Sequence, residues 1–574
     1  MTRLPLLQNR ITILGVVFFV LFGTVVARLF EKSIIFHAQA KELAKAQHFT
    51  RQELPPKRGA IYLRSKDGPV PVALTAAKYQ ILVVPKNTED RHQVAKLLAE
   101  KLDMKDQEQA IFEKINNQKL YVPPIKRRVD EPKAKEIEKL ALPGVLTIPE
   151  HVRFYPEQSF AAHILGFVDF EAEGRYGIEG FYNAELKGAP GAVLAEKDNK
   201  GRFISVARSR EARDGSDFHL TVDSNVQFMV EQALQEGIEK YAADAGQVIV
   251  MDVKTGAILA LASAPEYDPN TFNEVKPEDQ KVFLNPIVSA VYEPGSIVKP
   301  IVVAGGLNVG KITAETSGNF SNMVVVQGYE IHTAQDKSFG QENVTQCLEN
   351  SDNVCLVYLA NLIGNEAMHE NFKRFGIGVK TSVDVSGETT GTLPELKNWR
   401  DIHRATLSFG QGISMTPLQL VNAYATLANG GKLMRPYLVE KMIRPDGTEV
   451  KFEPKQLGEA IKPETAHLVT QMLISVVENG HGKKAKVPGF KVAGKTGTAQ
   501  IPNPSGAGYL ENAHIGSFGG FFPADDPKFA MLVKFDRPKN VEFAESSAAP
   551  TFGKLAKQIL TYYQVQPNQP IPNN

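Results

Sequence analysis

At 574 residues, 43% of them hydrophobic and 22% charged, the chain is too long for one ordinary core and is expected to form two or more domains. A formal net charge of +1 gives no reason to expect nucleic-acid binding. Two cysteines, Cys347 and Cys355, exclude a disulfide scaffold and a CxxC motif, and the twelve histidines show no HxxxH-like pairing, so no metal and no cofactor are expected.

Residues 11–27 are uncharged, and Arg3 and Arg10 precede them. At 1.5 Å per residue this run covers ~25 Å, and extension to Phe30 brings it to ~30 Å, the thickness of a bilayer core. The competing reading is a cleaved signal peptide, but the nominal site Ala38-Gln39-Ala40 lies beyond the charged Arg28, Glu31 and Lys32. The sequence therefore predicts an uncleaved anchor at 11–30, a cytoplasmic tail at 1–10 and everything after the anchor outside the cytoplasm.

A polar, helix-prone stretch at 31–54 ends at Pro55-Pro56, and a β-like segment opens at Lys57-Arg58-Gly59. Residues 89–141 read as amphipathic helices, with Val94, Leu97, Leu98 and Leu102 at spacings of three and four, and residues 144–222 mix short strands with Gly and Pro turns. No nucleophile-and-base constellation occurs in 31–217, which reads as a non-catalytic pedestal. Its charged, turn-rich end at 202–217 suits a boundary or hinge.

In 218–565, residues 226–241 suggest a helix, and a hairpin turning at Lys254-Thr255-Gly256 follows. Residues 294–435 are mainly helical in pattern. Strands return at 490–493, 515–522 and 529–535, and a helix at 552–563 precedes a flexible tail at 566–574. The fold class expected is mixed α/β, with one sheet built from chain-distant strands, an inserted all-helical lobe and a cleft between them.

Three short motifs carry the chemistry. Ser296-Ile297-Val298-Lys299 follows Pro294-Gly295 at a helix start, and it is the only Ser-x-x-Lys in the chain. Residues i and i+3 share a helix face, so Lys299 can reach the Ser296 hydroxyl. A lysine takes that proton only when neutral, which requires burial and nearby positive charge, available from Lys495. Ser351-Asp352-Asn353 reads as a loop entering a helix, where the Ser351 hydroxyl can relay a proton and the Asn353 amide can hold a lysine and a substrate carbonyl. Ser317-Gly318-Asn319 matches the same pattern but reads as a turn. Lys495-Thr496-Gly497-Thr498 reads as strand, with Lys495 and Gly497 on one face and Thr496 and Thr498 on the other. Gly497 leaves room for a substrate backbone. Lys254-Thr255-Gly256 repeats the Lys-Thr-Gly pattern, but in a tight turn ahead of the nucleophile.

In this order the motifs form the serine-lysine acyl-transfer constellation. From anchor to terminal helix the sequence resembles the class B penicillin-binding proteins, most closely the division and sporulation branch. The resemblance includes Arg58-Gly59, Arg153-Phe154-Tyr155-Pro156, Gly177-Ile178-Glu179-Gly180, Pro265-Glu266-Tyr267-Asp268 and Ser408-Phe409-Gly410-Gln411-Gly412. It implies an elongated α+β pedestal of the dimerisation type. It also implies a penicillin-binding domain with a mainly antiparallel central sheet flanked by helices. The implied activity is D,D-transpeptidation of peptidoglycan stem peptides ending in D-Ala-D-Ala, with inhibition by β-lactams and a role in division. Ser296 would attack, Lys299 act as base, and Ser351 pass the proton to the departing D-alanine, with Asn353 beside it. Lys495, Thr496 and Thr498 would bind the terminal carboxylate, and the backbone N–H groups of Ser296 and Thr498 would form the oxyanion hole. A polytopic glycan polymerase and divisome-type membrane proteins are the implied partners.

A β-lactamase shares these motifs, but Pro394-Glu395-Leu396-Lys397-Asn398 does not space its glutamate as a class A deacylation loop does, and a pedestal of about 190 residues has no place in such an enzyme. A catalytically silent scaffold or β-lactam sensor is the other alternative, and the intact Ser296/Lys299 pair argues against it. On a continuous helix Cys347 and Cys355 would lie about 12 Å apart, too far for a disulfide, so core packing is expected unless the loop at Ser351 bends them closer.

Overall fold

The computed structural model describes residues 5–37, 41, 49–117, 122–197, 203–503, 506 and 508–570, and these group into two compact units. The first comprises residues 1–57 and 188–214, the second 58–187 and 215–574.

In the first unit the uncharged run lies within one helix, Pro5–Phe30, followed by a π-helical turn at Glu31–Ile35. Mean hydropathy reaches 2.4 within Arg10–Ile35, and among the described residues this is the one helix long and apolar enough to cross a membrane. Between Ile11 and Phe30 its large apolar side chains are exposed, Phe18 and Phe19 among them, as expected of a surface that faces lipid. Part of the helix-prone stretch, at 38–40 and 42–48, lies outside the described residues. Its end, Phe49–Leu54, is a strand. It pairs antiparallel with Gly191–Lys197, which pairs with Phe203–Arg210. The charged stretch read as a hinge thus begins as a strand, because Phe203-Ile204-Ser205-Val206 supplies aromatic and β-branched residues ahead of the charges.

In the second unit, Arg91–Lys101 buries Val94 and Leu98 beside Leu102, Ile81 and Val83. Strand Ile61–Arg64 pairs in parallel with Asp217–Asp223, and the same sheet continues through Val439–Ile443 to Glu449–Lys451. Ile61, Phe167, Phe218, Ile249, Ile297 and Tyr424 belong to one buried cluster, so residues 58–187 share a core with the motif-bearing residues. Arg58 and Arg153 grip the fully buried Glu179 at 2.7 and 2.5 Å. Burial alone would raise that carboxyl, but the two guanidinium groups outweigh it and hold Glu179 below its ordinary value.

The second sheet positions the site. Its strand order is Ile258–Ala264, Ala245–Asp252, Phe529–Asp536, Tyr509–Phe522, Ala493–Pro502, antiparallel throughout. Helices Ser224–Tyr241 and Ala548–Tyr562 contribute Val230, Leu234, Phe552 and Ile559 to one buried cluster with Val248, Phe518 and Val533 of the sheet. Its edge strand begins at Ala493, later than the sequence pattern suggests, and carries Lys495-Thr496-Gly497-Thr498 whole. The inserted lobe is mainly rather than wholly helical. It contains two short antiparallel ladders, Ser317–Phe320 with Gly340–Asn343 and Met323–Val326 with Tyr329–His332. Ser317-Gly318-Asn319 is therefore ladder strand, not turn, its backbone paired to Glu342 and its neighbours.

Candidate active site

The nucleophile candidate sits on a kinked entry to a helix. Gly295–Val298 forms one 3-10 turn, and Lys299–Asn308 continues as α-helix with Pro300 near its start. Side chains at i and i+3 eclipse in a 3-10 turn, which sets Ser296 above Lys299. Gly295 has φ +64°, and its N–H donates to the Gly410 carbonyl at 3.1 Å. A Cβ on Gly410 would lie 2.2 Å from the Gly295 oxygen, so Ser408-Phe409-Gly410-Gln411-Gly412 is the loop against which the serine turn rests. Tyr424, fully buried, donates its hydroxyl to the Ile297 carbonyl at 2.8 Å and braces the same turn from beneath.

The motif strand lies alongside. A Cβ on Gly497 would come within 3.0 Å of Ile297 Cβ and of the Pro294 oxygen. The glycine therefore clears the serine turn itself, a reason the sequence reading, which reserved the space for substrate, did not contain. Thr498 is exposed midway along the strand and its hydroxyl accepts from the Ala544 N–H at 3.2 Å.

From the lobe, helix Val344–Glu349 ends, Ser351 adopts φ +54°, and Asp352 caps the next helix, Asn353–Ile363, by accepting from the Val354 and Cys355 N–H groups. This break overturns the expectation for the cysteines. The chain is not continuously helical between Cys347 and Cys355, their Cα atoms are 6.0 Å apart, and they form a disulfide.

The three motifs converge at Ser351. Lys299 Nζ donates to the Ser351 carbonyl at 2.6 Å, to Asn353 Oδ1 at 2.8 Å and to Ser351 Oγ at 3.3 Å. Lys495 Nζ donates to the same Oγ at 3.0 Å and to Thr496 Oγ1 at 3.3 Å. Asn353 Nδ2 donates to the His332 carbonyl at 2.9 Å, which fixes the amide orientation. Both lysines are 0% exposed. Burial, and after it the charge of Lys495, pushes Lys299 well below the usual lysine range, while burial takes Lys495 down to about 7. A buried amine held by neutral oxygens can exchange protons with a hydroxyl near neutral pH, which an exposed lysine cannot.

Ser351, Asn353, Lys299, Lys495 and Thr496 are thus joined by hydrogen bonds, with Ser296 one turn from Lys299 and Gly497 packed on the serine turn. The sequence reading missed Tyr424, which braces the serine turn, and Glu342, which accepts from the side-chain amide of Asn350 beside Ser351 at 2.5 Å. Tyr424 sits in an apolar run and Glu342 just before a helix, and neither position carries a local signal. Glu395 is far from a buried base: its side chain is 67% exposed and ion-paired with Lys397 at 2.5 Å.

Residues 246–560 match the family described as penicillin binding protein transpeptidase domain, and residues 53–220 the penicillin-binding protein dimerisation domain. Stage V sporulation protein D of Bacillus subtilis is 33% identical over 567 residues, covering 97% of this chain and 86% of that protein. Peptidoglycan D,D-transpeptidase FtsI of Escherichia coli is 33% identical over 445 residues, 77% of this chain and 72% of its own. The crystal structure of penicillin binding protein 3 from Mycobacterium tuberculosis complexed with aztreonam is similar at a TM-score of 0.71 and 25% identity, covering 91% of this chain and 99% of that one.

Proposed function

The chain belongs to the class B penicillin-binding proteins, and from that premise we propose that it cross-links peptidoglycan stem peptides through an acyl-enzyme on Ser296, in septal wall synthesis. The observation that carries this reading is the Ser351 hydroxyl held between two buried lysines, Lys299 and Lys495, one turn from Ser296.

Neutral Lys299 takes the Ser296 proton as Oγ bonds to the carbonyl carbon of the D-Ala-D-Ala bond. The backbone N–H groups of Ser296 and Thr498 receive the oxyanion, each worth about 3 kcal/mol in comparable sites. The C–N bond then breaks, and the proton leaves Lys299 through Ser351 to the departing D-alanine. An amine from a second stem peptide attacks the ester, forms the new amide and returns the proton to Ser296. Lys495 with the Thr496 and Thr498 hydroxyls holds the donor's terminal carboxylate, and Asn353 holds Lys299 and a substrate carbonyl. β-Lactams follow the first half of this path and stop at the ester.

The apolar helix fits a membrane anchor, with the short N-terminal tail in the cytoplasm and the catalytic residues outside. Residues 31–217 act as pedestal and 218–565 as the transpeptidase, and a polytopic glycan polymerase is the partner reached through anchor and pedestal. Peptide mass spectrometry after benzylpenicillin treatment is expected to find one adduct, on Ser296, persisting for many minutes. Rapid loss of the adduct, or an adduct elsewhere, would favour a hydrolase or a non-catalytic binder.

A further inference from the structure

Behind the Ser351 loop lie two carboxyl groups that the mechanism does not use. Glu342, on the ladder strand Gly340–Asn343, is 2% exposed, and Asp352 is 0% exposed. Asp352 spends Oδ1 on capping its helix, accepting from the Val354 N–H at 2.6 Å and the Cys355 N–H at 3.2 Å. Glu342 spends Oε1 on the Asn350 side-chain amide at 2.5 Å. The remaining oxygens, Glu342 Oε2 and Asp352 Oδ2, are both buried and have no donor, although the two side chains stand within hydrogen-bonding reach of each other.

Two ionised carboxylates in such contact repel, and each orphaned oxygen also bears an unmet desolvation cost. One proton between them removes both penalties. We infer that Glu342 is a positioning residue for acyl transfer, sharing one proton with Asp352 and thereby fixing Ser351 between Lys299 and Lys495. The geometry is specific, because Glu342 holds both neighbours of Ser351: Asn350 through one oxygen and Asp352 through the other. Ser351 itself has a left-handed backbone, φ +54°, and such a conformation is kept only where its flanks are fixed.

The charged groups facing the pair are Glu349 from helix Val344–Glu349 and Lys299 from the nucleophile helix, with Lys495 beyond Lys299. Burial raises the Glu342 carboxyl to about 7, and Asp352 adds to the rise against the opposing Asn350 amide. As the pH climbs past that value the shared proton is lost and the two carboxylates push apart under the loop. The doubled negative charge also favours the ammonium form of Lys299, which cannot act as base.

The inference rests on the proposed transpeptidase reading, and one experiment separates the two. Glu342→Gln keeps the oxygen that Asn350 needs and offers Asp352 a permanent N–H. Penicillin acylation rate constants of E342Q and the parent are compared at about pH 6 and about pH 8.5, either side of the raised carboxyl. The ratio of E342Q to parent is expected near one at the lower pH and several-fold above one at the higher. Taking the ratio cancels any alkaline fall due to Lys495, which both proteins share. Thermal melting gives a second readout: the advantage of E342Q over the parent should grow over the same rise in pH. A normal Ser296 adduct with a ratio and a melting difference that do not change with pH overturns the inference alone. Failure of E342Q to fold also overturns it, since the amide supplies all that the shared proton is inferred to supply. No Ser296 adduct in the parent overturns the proposed function and the inference with it.

Discussion

The hydrogen bonds of Lys299 run to the oxygens of Ser351 and Asn353, all of them neutral, so its amine is buried with hydrogen-bond acceptors but without a bonded counter-ion. Burial first, and the Lys495 charge second, favour its neutral form, while Asp352 and Glu342 pull the other way and lose. The direction of the shift fixes the pH dependence. Because the pKa is depressed, the free base is populated at lower pH than for an ordinary lysine, and acylation should fall as the pH drops through the lowered value. An arginine at this position stays charged at any accessible pH. Lys299→Arg is therefore expected to lose about 10²- to 10⁴-fold in the acylation rate, the usual worth of a general base. Stopped-flow measurement with a fluorescent penicillin decides it, and a K299R rate within about tenfold of the parent would remove Lys299 from the role of base.

Between elements, the disulfide closes a short loop across the break that presents Ser351, with eight residues of sequence separation. Chain-entropy arguments give such a loop about 2.5 kcal/mol of stabilisation. The double variant Cys347→Ser/Cys355→Ser should move the urea midpoint of the second unit down by a corresponding amount, and the parent should shift likewise in reductant. Coincident unfolding curves would show that the bridge stabilises nothing. The same region shows where sequence patterning stopped being informative. The three motifs, the hairpin around Lys254-Thr255-Gly256 and the sheet assembled from distant strands were all readable, because each rests on local periodicity or on residue types that few contexts tolerate. Strand Phe49–Leu54 was not: Thr50, Arg51, Gln52 and Glu53 give no alternation, and its partner lies some 140 residues on, at Gly191–Lys197. The disulfide was hidden for a related reason. Spacing along a presumed helix gives one distance, and a single left-handed residue, Ser351, replaces it with another. Glu342 needed both the ladder register and the helix cap before its partner could be seen.

At the scale of the whole chain, the residues of the proposed reaction, from Ser296 to Thr498, lie in the second compact unit, and the apolar helix lies in the first. The second unit has its own continuous core, reaching from Ile61 and Phe167 through Phe218 to Ile297 and Tyr424. It also holds the buried Arg58–Glu179–Arg153 cluster, which fastens distant positions within residues 58–187 to one another. Among the described residues the members of that core begin at Ile61, and the large apolar side chains between Ile11 and Phe30 are exposed and supply the reason for detergent. Removing residues 1–30 should therefore yield protein that stays in the supernatant without detergent and acylates within about twofold of the full chain, since the groups that set the barrier are untouched. The same truncation should abolish co-purification of the proposed polymerase partner under mild detergent, because an apolar helix of membrane-spanning length is the surface such a partner can reach. Retention of the partner would assign its docking to the pedestal alone. Loss of acylation would mean that residues 1–30 help to hold the site together, against a core whose members begin at Ile61.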